Sequence, residues 1–212
     1  TNVICNLSSS FKKTGHLKSL IMKEFWNQRY SEPVFAYGTE PNAFFREQLQ
    51  QLTPGSLLLP CEGEGRNAVY AATLGWEVVA FDQSEAGRNK CLKLAAARQV
   101  QVQYLIADAA QFDYGQNQYD AIALIFAHFP PELRQQVHRS CLQALKPNGV
   151  LLIEAFTPEQ LQYQSGGPKD VAMLYTIDDL HNDFSEAQQL LFETTITQLQ
   201  EGPYHQGPAA VI

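Results

Sequence analysis

The chain has few of the residues that staple small folds. Its 212 residues contain four cysteines, Cys5, Cys61, Cys91 and Cys141, and no Cys-x-x-Cys pair. A disulfide scaffold is therefore not expected, and the compartment is expected to be reducing and cytoplasmic. The five histidines are as scattered. His138 and Cys141 have helical ligand spacing without a second pair, so no metal is expected. Long apolar runs are missing as well: the longest, Ala121–Ala127, has seven residues, against the ~20 of a membrane span. Positive charge is also short, at 15 Lys and Arg against 22 Asp and Glu, a net charge of −7. Residues 1–22 hold three lysines and no acid, leaving 12 of the 15 basic residues against all 22 acids in the remainder. An acidic body repels phosphate backbones and gains nothing from counterion release, so nucleic acid is not an expected partner.

Residues 1–22 read as a leader or a loosely packed arm. They are Ser-rich but hold no arginine and no apolar stretch suited to a secretory signal. Residues 23–212 read as one domain, opened by a helical cap at about 23–52. Apolar residues Leu17, Leu20, Ile21 and Phe25 recur at helical spacing up to Tyr30. A second helix is expected from about Pro41, since proline suits a helix start.

From Ser56 onward short apolar runs alternate with helical stretches. Strands are expected at 56–60, 77–81, 100–106, 119–126 and 150–155, with helices at 66–74, 85–98 and 131–145. Several of the strands are apolar throughout, as in a parallel sheet covered on both faces. The alternation implies right-handed crossovers and a doubly wound α/β sheet. The tail breaks the pattern: a helix at 176–184, a long strand near 189–199, a Gly/Pro turn at 201–207 and a last apolar run. It reads as a reversed hairpin strand ending a mostly parallel, seven-stranded sheet.

The loop after the first strand is Pro60-Cys61-Glu62-Gly63-Glu64-Gly65-Arg66-Asn67-Ala68. Gly63, Gly65 and Ala68 fit G-x-G-x-x-A between a strand and a helix, so a dinucleotide site must be weighed. The flanking charges argue against a pyrophosphate. Carboxylates at Glu62 and Glu64, ~4 Å from its two negative charges, would cost several kcal/mol in a partly buried cleft. S-adenosylmethionine, with a sulfonium, an ammonium and no phosphate, suits that loop better. Asp82 ends the second strand, where a carboxylate accepts both ribose hydroxyls. Asp108 follows the third strand, within reach of the adenine edge.

The order of the glycine loop, Asp82, Asp108, TyrAspAlaIle at 119–122 and LeuLysProAsnGly at 145–149 resembles class I S-adenosylmethionine-dependent methyltransferases. The resemblance covers roughly residues 24–212 and implies their Rossmann-like fold. More narrowly, GlyArgAsn at 65–67, PheTrpAsnGlnArgTyr at 25–30, TyrGlyThrGluProAsn at 37–42 and the late His205 are similar to the tellurite-resistance and thiopurine methyltransferase group. It implies donor contacts from Glu62, Gly63, Glu64, Gly65 and Asn67, ribose contacts from Asp82, adenine contacts near Asp108 and Ala109, and further donor contacts from Gln83, Ser84 and Phe126. It also implies an amino-terminal segment around Tyr37 that folds over the donor. The chain departs from the pattern at Leu59, where the family has an acid, and at Cys61, where it has glycine.

Methyl transfer is an in-line displacement at a carbon activated by positive sulfur. Positioning supplies most of the catalysis, up to ~7–11 kcal/mol, and a protonated nucleophile needs a base. His128, after the fourth strand, and His205, in the final turn, are the candidate bases. Trp26, Tyr30, Phe129 and Tyr204 are candidates to line an apolar acceptor pocket, and Arg29, Arg66 and Lys169 to hold an anionic acceptor. The GlyGlyProLys stretch at 166–169 reads as a gating loop. PheProPro at 129–131 lacks the amide and aromatic order of nucleic-acid amino methylation, and Pro60-Cys61 follows the wrong strand for cytosine methylation. A small-molecule acceptor is expected, such as a thiol or chalcogen oxyanion, with the protein a monomer or homodimer. Two alternatives remain: a nicotinamide-dependent oxidoreductase and a non-catalytic S-adenosylmethionine-binding module. Against the former, no tyrosine has lysine four residues later.

Overall fold

A computed structural model describes residues 8–212, with side chains from residue 20. Residues 1–7 of the expected leader, Cys5 included, lie outside it. Residues 8–22 begin helix α1, Ser8–Ser31. The elements that follow are α2 (Ala43–Leu49), β1 (Ser56–Pro60), α3 (Arg66–Thr73), β2 (Glu77–Asp82), α4 (Glu85–Ala97), β3 (Gln103–Ile106), β4 (Tyr119–Ile125), α5 (Pro131–Ala144) and β5 (Leu145–Glu154). After two 3-10 turns come α6 (Ile177–Asp183), β6 (Thr195–Glu201) and β7 (His205–Val211).

Strands β1 to β5 form a parallel sheet in the order β3-β2-β1-β4-β5. Alternate side chains of the central strands serve two cores. Leu57 and Leu59 pack with Phe45 and Leu49 of α2, Val69 of α3 and Cys91 and Ala95 of α4. Leu58 points the other way, with Ile122 and Leu124, onto Val137, Cys141 and Ala144 of α5. Continuous apolar strands follow from this two-sided burial, since neither face has water to meet.

The expectation of one seven-stranded sheet needs correction. Among the described residues, β6 and β7 pair with each other as a separate antiparallel sheet. It touches the line of β5 only beyond Glu154, where Ala155 and Ile212 exchange backbone hydrogen bonds of 2.9 Å and Phe156 bridges Val211. The hairpin thus continues the sheet's direction without a continuous ladder. Nor does its first strand begin near Gln189. Thr195 already pairs with Val211 at the end of β7, so earlier residues have no partner strand, and Leu190 and Leu191 stay exposed.

The cap is fastened locally. The Asn42 side chain accepts from Phe45 N–H at 2.8 Å and caps α2. Asn27 of α1 accepts from Ser84 Oγ at 3.1 Å and Ala86 N–H at 3.0 Å, which fixes α1 on the start of α4.

Candidate functional site

Open α/β sheets bind ligands at the carboxyl ends of the strands, where the strand order reverses. Here that point lies between β1 and β4. Both strands leave it strained: Cys61 after β1 has φ 57° and Phe126 after β4 has φ 54°. Left-handed non-glycine residues cost ~1 kcal/mol or more and collect at binding sites. The strain at Cys61 explains why glycine suits that position.

Gly63 and Gly65 are left-handed as well, at φ 61° and 85°. A Cβ on Gly63 would lie 2.6 Å from Tyr30 Oη, and one on Gly65 would strike Cys91 Sγ. The glycines therefore serve the approach of α1 and α4 to the loop, a use that spacing alone does not show. Tyr104 Oη donates to Gly63 O at 2.5 Å and fixes the turn.

The acids divide. Glu64 accepts from Ala36 N–H at 2.7 Å and pairs with Lys90 Nζ at 2.6 Å, so it faces the cap. Glu62 turns onto α3, accepting from Ala68 N–H at 2.8 Å and Asn67 Nδ2 at 3.4 Å. Burial pushes its carboxyl up to about 7. Asp82 accepts from Gly63 N–H at 3.2 Å and Ser84 N–H at 2.9 Å, and burial pushes it up to about 6. Beside it, Gln83 Oε1 is buried without a hydrogen-bond partner among the described residues. A cation or a set of hydroxyl donors at β2 fits these acceptors. A pyrophosphate does not, because Glu62 already holds an N–H at the head of α3 where a dinucleotide's phosphates would sit.

A second constellation lies over the first. Glu201, at the end of β6, accepts from Arg66 at 2.9 Å, His205 Nδ1 at 3.0 Å and Asn42 Nδ2 at 3.1 Å. Arg66 and His205 hold it down at about 2 against the opposing effect of burial. Asn42 Nδ2 also donates to Glu154 Oε2 at 2.6 Å, and burial pushes that carboxyl up to about 7. The His205 ring lies 4.4 Å from Tyr37, 4.8 Å from Phe126 and 5.5 Å from Phe156. The Arg29 guanidinium stands 4.2 Å over Tyr204 and 4.7 Å over Phe25, and donates to Tyr37 Oη at 3.2 Å. Among the described residues it forms no ion pair. A guanidinium in an aromatic box and an imidazole on a carboxylate can hold an anionic group and take a proton.

The other expected site residues are held as follows. Both nitrogens of His128 are taken: Nδ1 lies 2.6 Å from Met173 O and Nε2 accepts from Phe156 N–H at 3.1 Å. Burial pulls it down to about 4, so it is neutral. Ser84 Oγ caps α4 through Gly87 N–H at 3.1 Å. Ala109 and Phe129 are buried in the α5-side core. Asp108 accepts from Ala110 N–H at 2.9 Å at the end of β3. Trp26 stacks on the buried Tyr30 at 5.5 Å, and Lys169 is exposed beyond Gly166 and Gly167.

Sequence reading missed Asn42, Glu154 and Glu201. Glu154 left a signal, a lone acid closing the apolar strand ValLeuLeuIleGlu.

A family model of the methyltransferase domain matches residues 59–149. No curated protein matched in a sequence comparison. Among solved structures, one of the conversion of a disulfide bond into a thioacetal group during echinomycin biosynthesis superposes with a TM-score of 0.71 at 15% identity. It covers 91% of this chain and 89% of that one. TehB from Haemophilus influenzae gives 0.64 at 16% identity over 89% of this chain, which spans 65% of TehB's length. Magnesium protoporphyrin IX methyltransferase from Synechocystis PCC 6803, with S-adenosylhomocysteine bound, gives 0.61 at 15% identity, covering 91% and 97%. Residues 59–149 thus match the methyltransferase-domain model, and the chain shares its fold with these solved structures.

Proposed function

We propose that the chain is an S-adenosylmethionine-dependent methyltransferase that methylates a small molecule by in-line displacement. One observation carries the choice of donor: the Glu62 carboxylate accepts the Ala68 N–H at the head of α3, where a phosphate would bind, and Asp82 closes β2 beside the glycines. When bound, S-adenosylmethionine supplies an electrophilic methyl group on a sulfonium. Asp82 accepts the ribose hydroxyls, and Gln83 Oε1 receives a donor from the nucleoside. Tyr37 and the cap cover the site, held by Glu64 and Lys90. Arg29 binds an anionic part of the acceptor, with Tyr204 and Trp26 as its apolar wall, and His205 lies at the reacting end. His128 buttresses the Phe156 backbone and takes no proton.

A labelled-methyl screen over thiols, selenite, tellurite and small carboxylic acids tests the reading. Transfer to at least one acceptor, abolished by omitting the enzyme, is the expected outcome. Donor binding without transfer to any acceptor would favour the binding module.

A further inference from the structure

We infer that Glu201 is a positioning residue that fixes His205 with its proton on Nδ1, so that Nε2 takes the proton of an acceptor that reacts from its protonated form. The inference rests on the methyl-transfer reading and narrows its acceptor to a thiol, hydroxyl or amine bearing a separate anionic group.

The carboxylate of Glu201 is only 11% exposed and lies 3.0 Å from Nδ1. A carboxylate accepts and never donates when ionised, so Nδ1 is the nitrogen that carries hydrogen. The ring is thereby committed to one tautomer, with the lone pair on Nε2. That edge is kept open by glycine: a Cβ on Gly166 would lie 3.0 Å from Nε2. Turn 166–169 therefore borders the proton-accepting atom, and its second glycine, Gly167, packs on Phe156.

The charged and titratable groups facing the imidazole come from four directions. Glu201 belongs to the hairpin, Arg66 to α3, Arg29 and Tyr37 to the cap, and His128 to the segment after β4. Burial and the two guanidiniums disfavour an imidazolium, and Glu201 alone opposes them. The ring consequently rests neutral and can take a proton, with Glu201 beside it to stabilise the resulting cation. A pre-ionised oxyanion would need none of this.

In the step itself, a lone pair of the acceptor forms the bond to the methyl carbon. The methyl–sulfur bond breaks with its electron pair left on sulfur, giving S-adenosylhomocysteine. The acceptor's proton passes to His205 Nε2 and from there to water. Positioned bases of this kind contribute roughly 10²–10⁴-fold.

The test joins nitrogen NMR of His205 to a double-mutant cycle. In the wild-type complex with S-adenosylhomocysteine, Nδ1 should carry hydrogen and Nε2 should be bare; Glu201→Ala should mix the tautomers. With an acceptor from the methyl screen, Glu201→Gln should lower kcat at least tenfold, with S-adenosylhomocysteine affinity changed less than threefold. In a His205→Gln background, the same Glu201 change should cost less than threefold more. Protonated Nε2 in the wild type, fully additive losses, or full-rate methylation of selenite or tellurite by His205→Gln would overturn the inference. Failure of the wild type to bind S-adenosylhomocysteine would instead overturn the methyl-transfer reading beneath it.

Discussion

Lys90 Nζ lies 2.6 Å from Glu64 Oε1, with side chains 13% and 3% exposed, and donates to Val34 O at 2.7 Å. This pair ties α4, the glycine loop and the cap at one point. It also pairs the Glu64 charge, leaving Glu62 and Asp82 as the carboxylates beside the glycines that form no ion pair among the described residues. Breaking one half of a buried pair leaves the other charge uncompensated, at a cost of ~3–5 kcal/mol. Lys90→Met should therefore destabilise the protein by ~3 kcal/mol in chemical denaturation. Lys90→Met with Glu64→Gln should recover part of that loss. Equal stability of Lys90→Met and wild type would show that the latch contributes nothing.

Asp82 should make donor binding pH-dependent. Burial raises its carboxyl from the ordinary 3.8 to about 6, so the free folded protein holds this proton more tightly than the unfolded chain. Its contribution to stability consequently falls as pH rises from 3.8 to about 6. On the proposed reading binding runs the other way, because ribose hydroxyls would donate to the ionised form. S-adenosylhomocysteine affinity should rise between pH 5 and 7 and level off above, by up to ~tenfold per unit below the carboxyl's pKa. Asp82→Asn should flatten that rise and weaken binding at pH 7.5 by roughly ten- to two-hundred-fold, the equivalent of ~1.5–3 kcal/mol. An unchanged pH profile in Asp82→Asn would remove Asp82 from the ribose.

The parallel sheet and its order of elements were legible in the sequence because burial on both faces writes continuous apolar strands, as at Leu57-Leu58-Leu59. The glycine loop was legible as a string, but its reason was not. Only the folded chain brings Tyr30 and Cys91 against Gly63 and Gly65. Counting acids near the loop misjudged its charge for the same reason, since Lys90 and Ala36 reach Glu64 from distant segments. The Asn42–Glu154–Glu201 chain spans 159 positions, and no local pattern announces it. Strand β6 was placed too early because Leu190 and Leu191 are apolar, although the length of β7 leaves them no partner.

Arg29 should govern acceptor binding and leave the donor alone. Its guanidinium faces Tyr204 and Phe25 with no carboxylate partner among the described residues. Arg29→Ala should raise the KM of an anionic acceptor about tenfold, a loss of ~1.4 kcal/mol, and change kcat less than threefold. Steady-state kinetics at saturating donor would check this; an unaltered KM would return Arg29 to the scaffold.

His128 should behave as structure. Replacing it with alanine leaves Met173 O and Phe156 N–H without partners, a loss of ~2 kcal/mol at about 1 kcal/mol per bond. His128→Ala should melt earlier yet keep the wild-type pH profile of kcat. A profile altered in shape would make His128 a participant in proton transfer.

Titration calorimetry with S-adenosylhomocysteine and NAD on the same protein tests the central claim most directly. One site for the sulfur nucleoside, lost with Asp82→Ala, and no heat from NAD is the predicted result. Heat from NAD alone would contradict it.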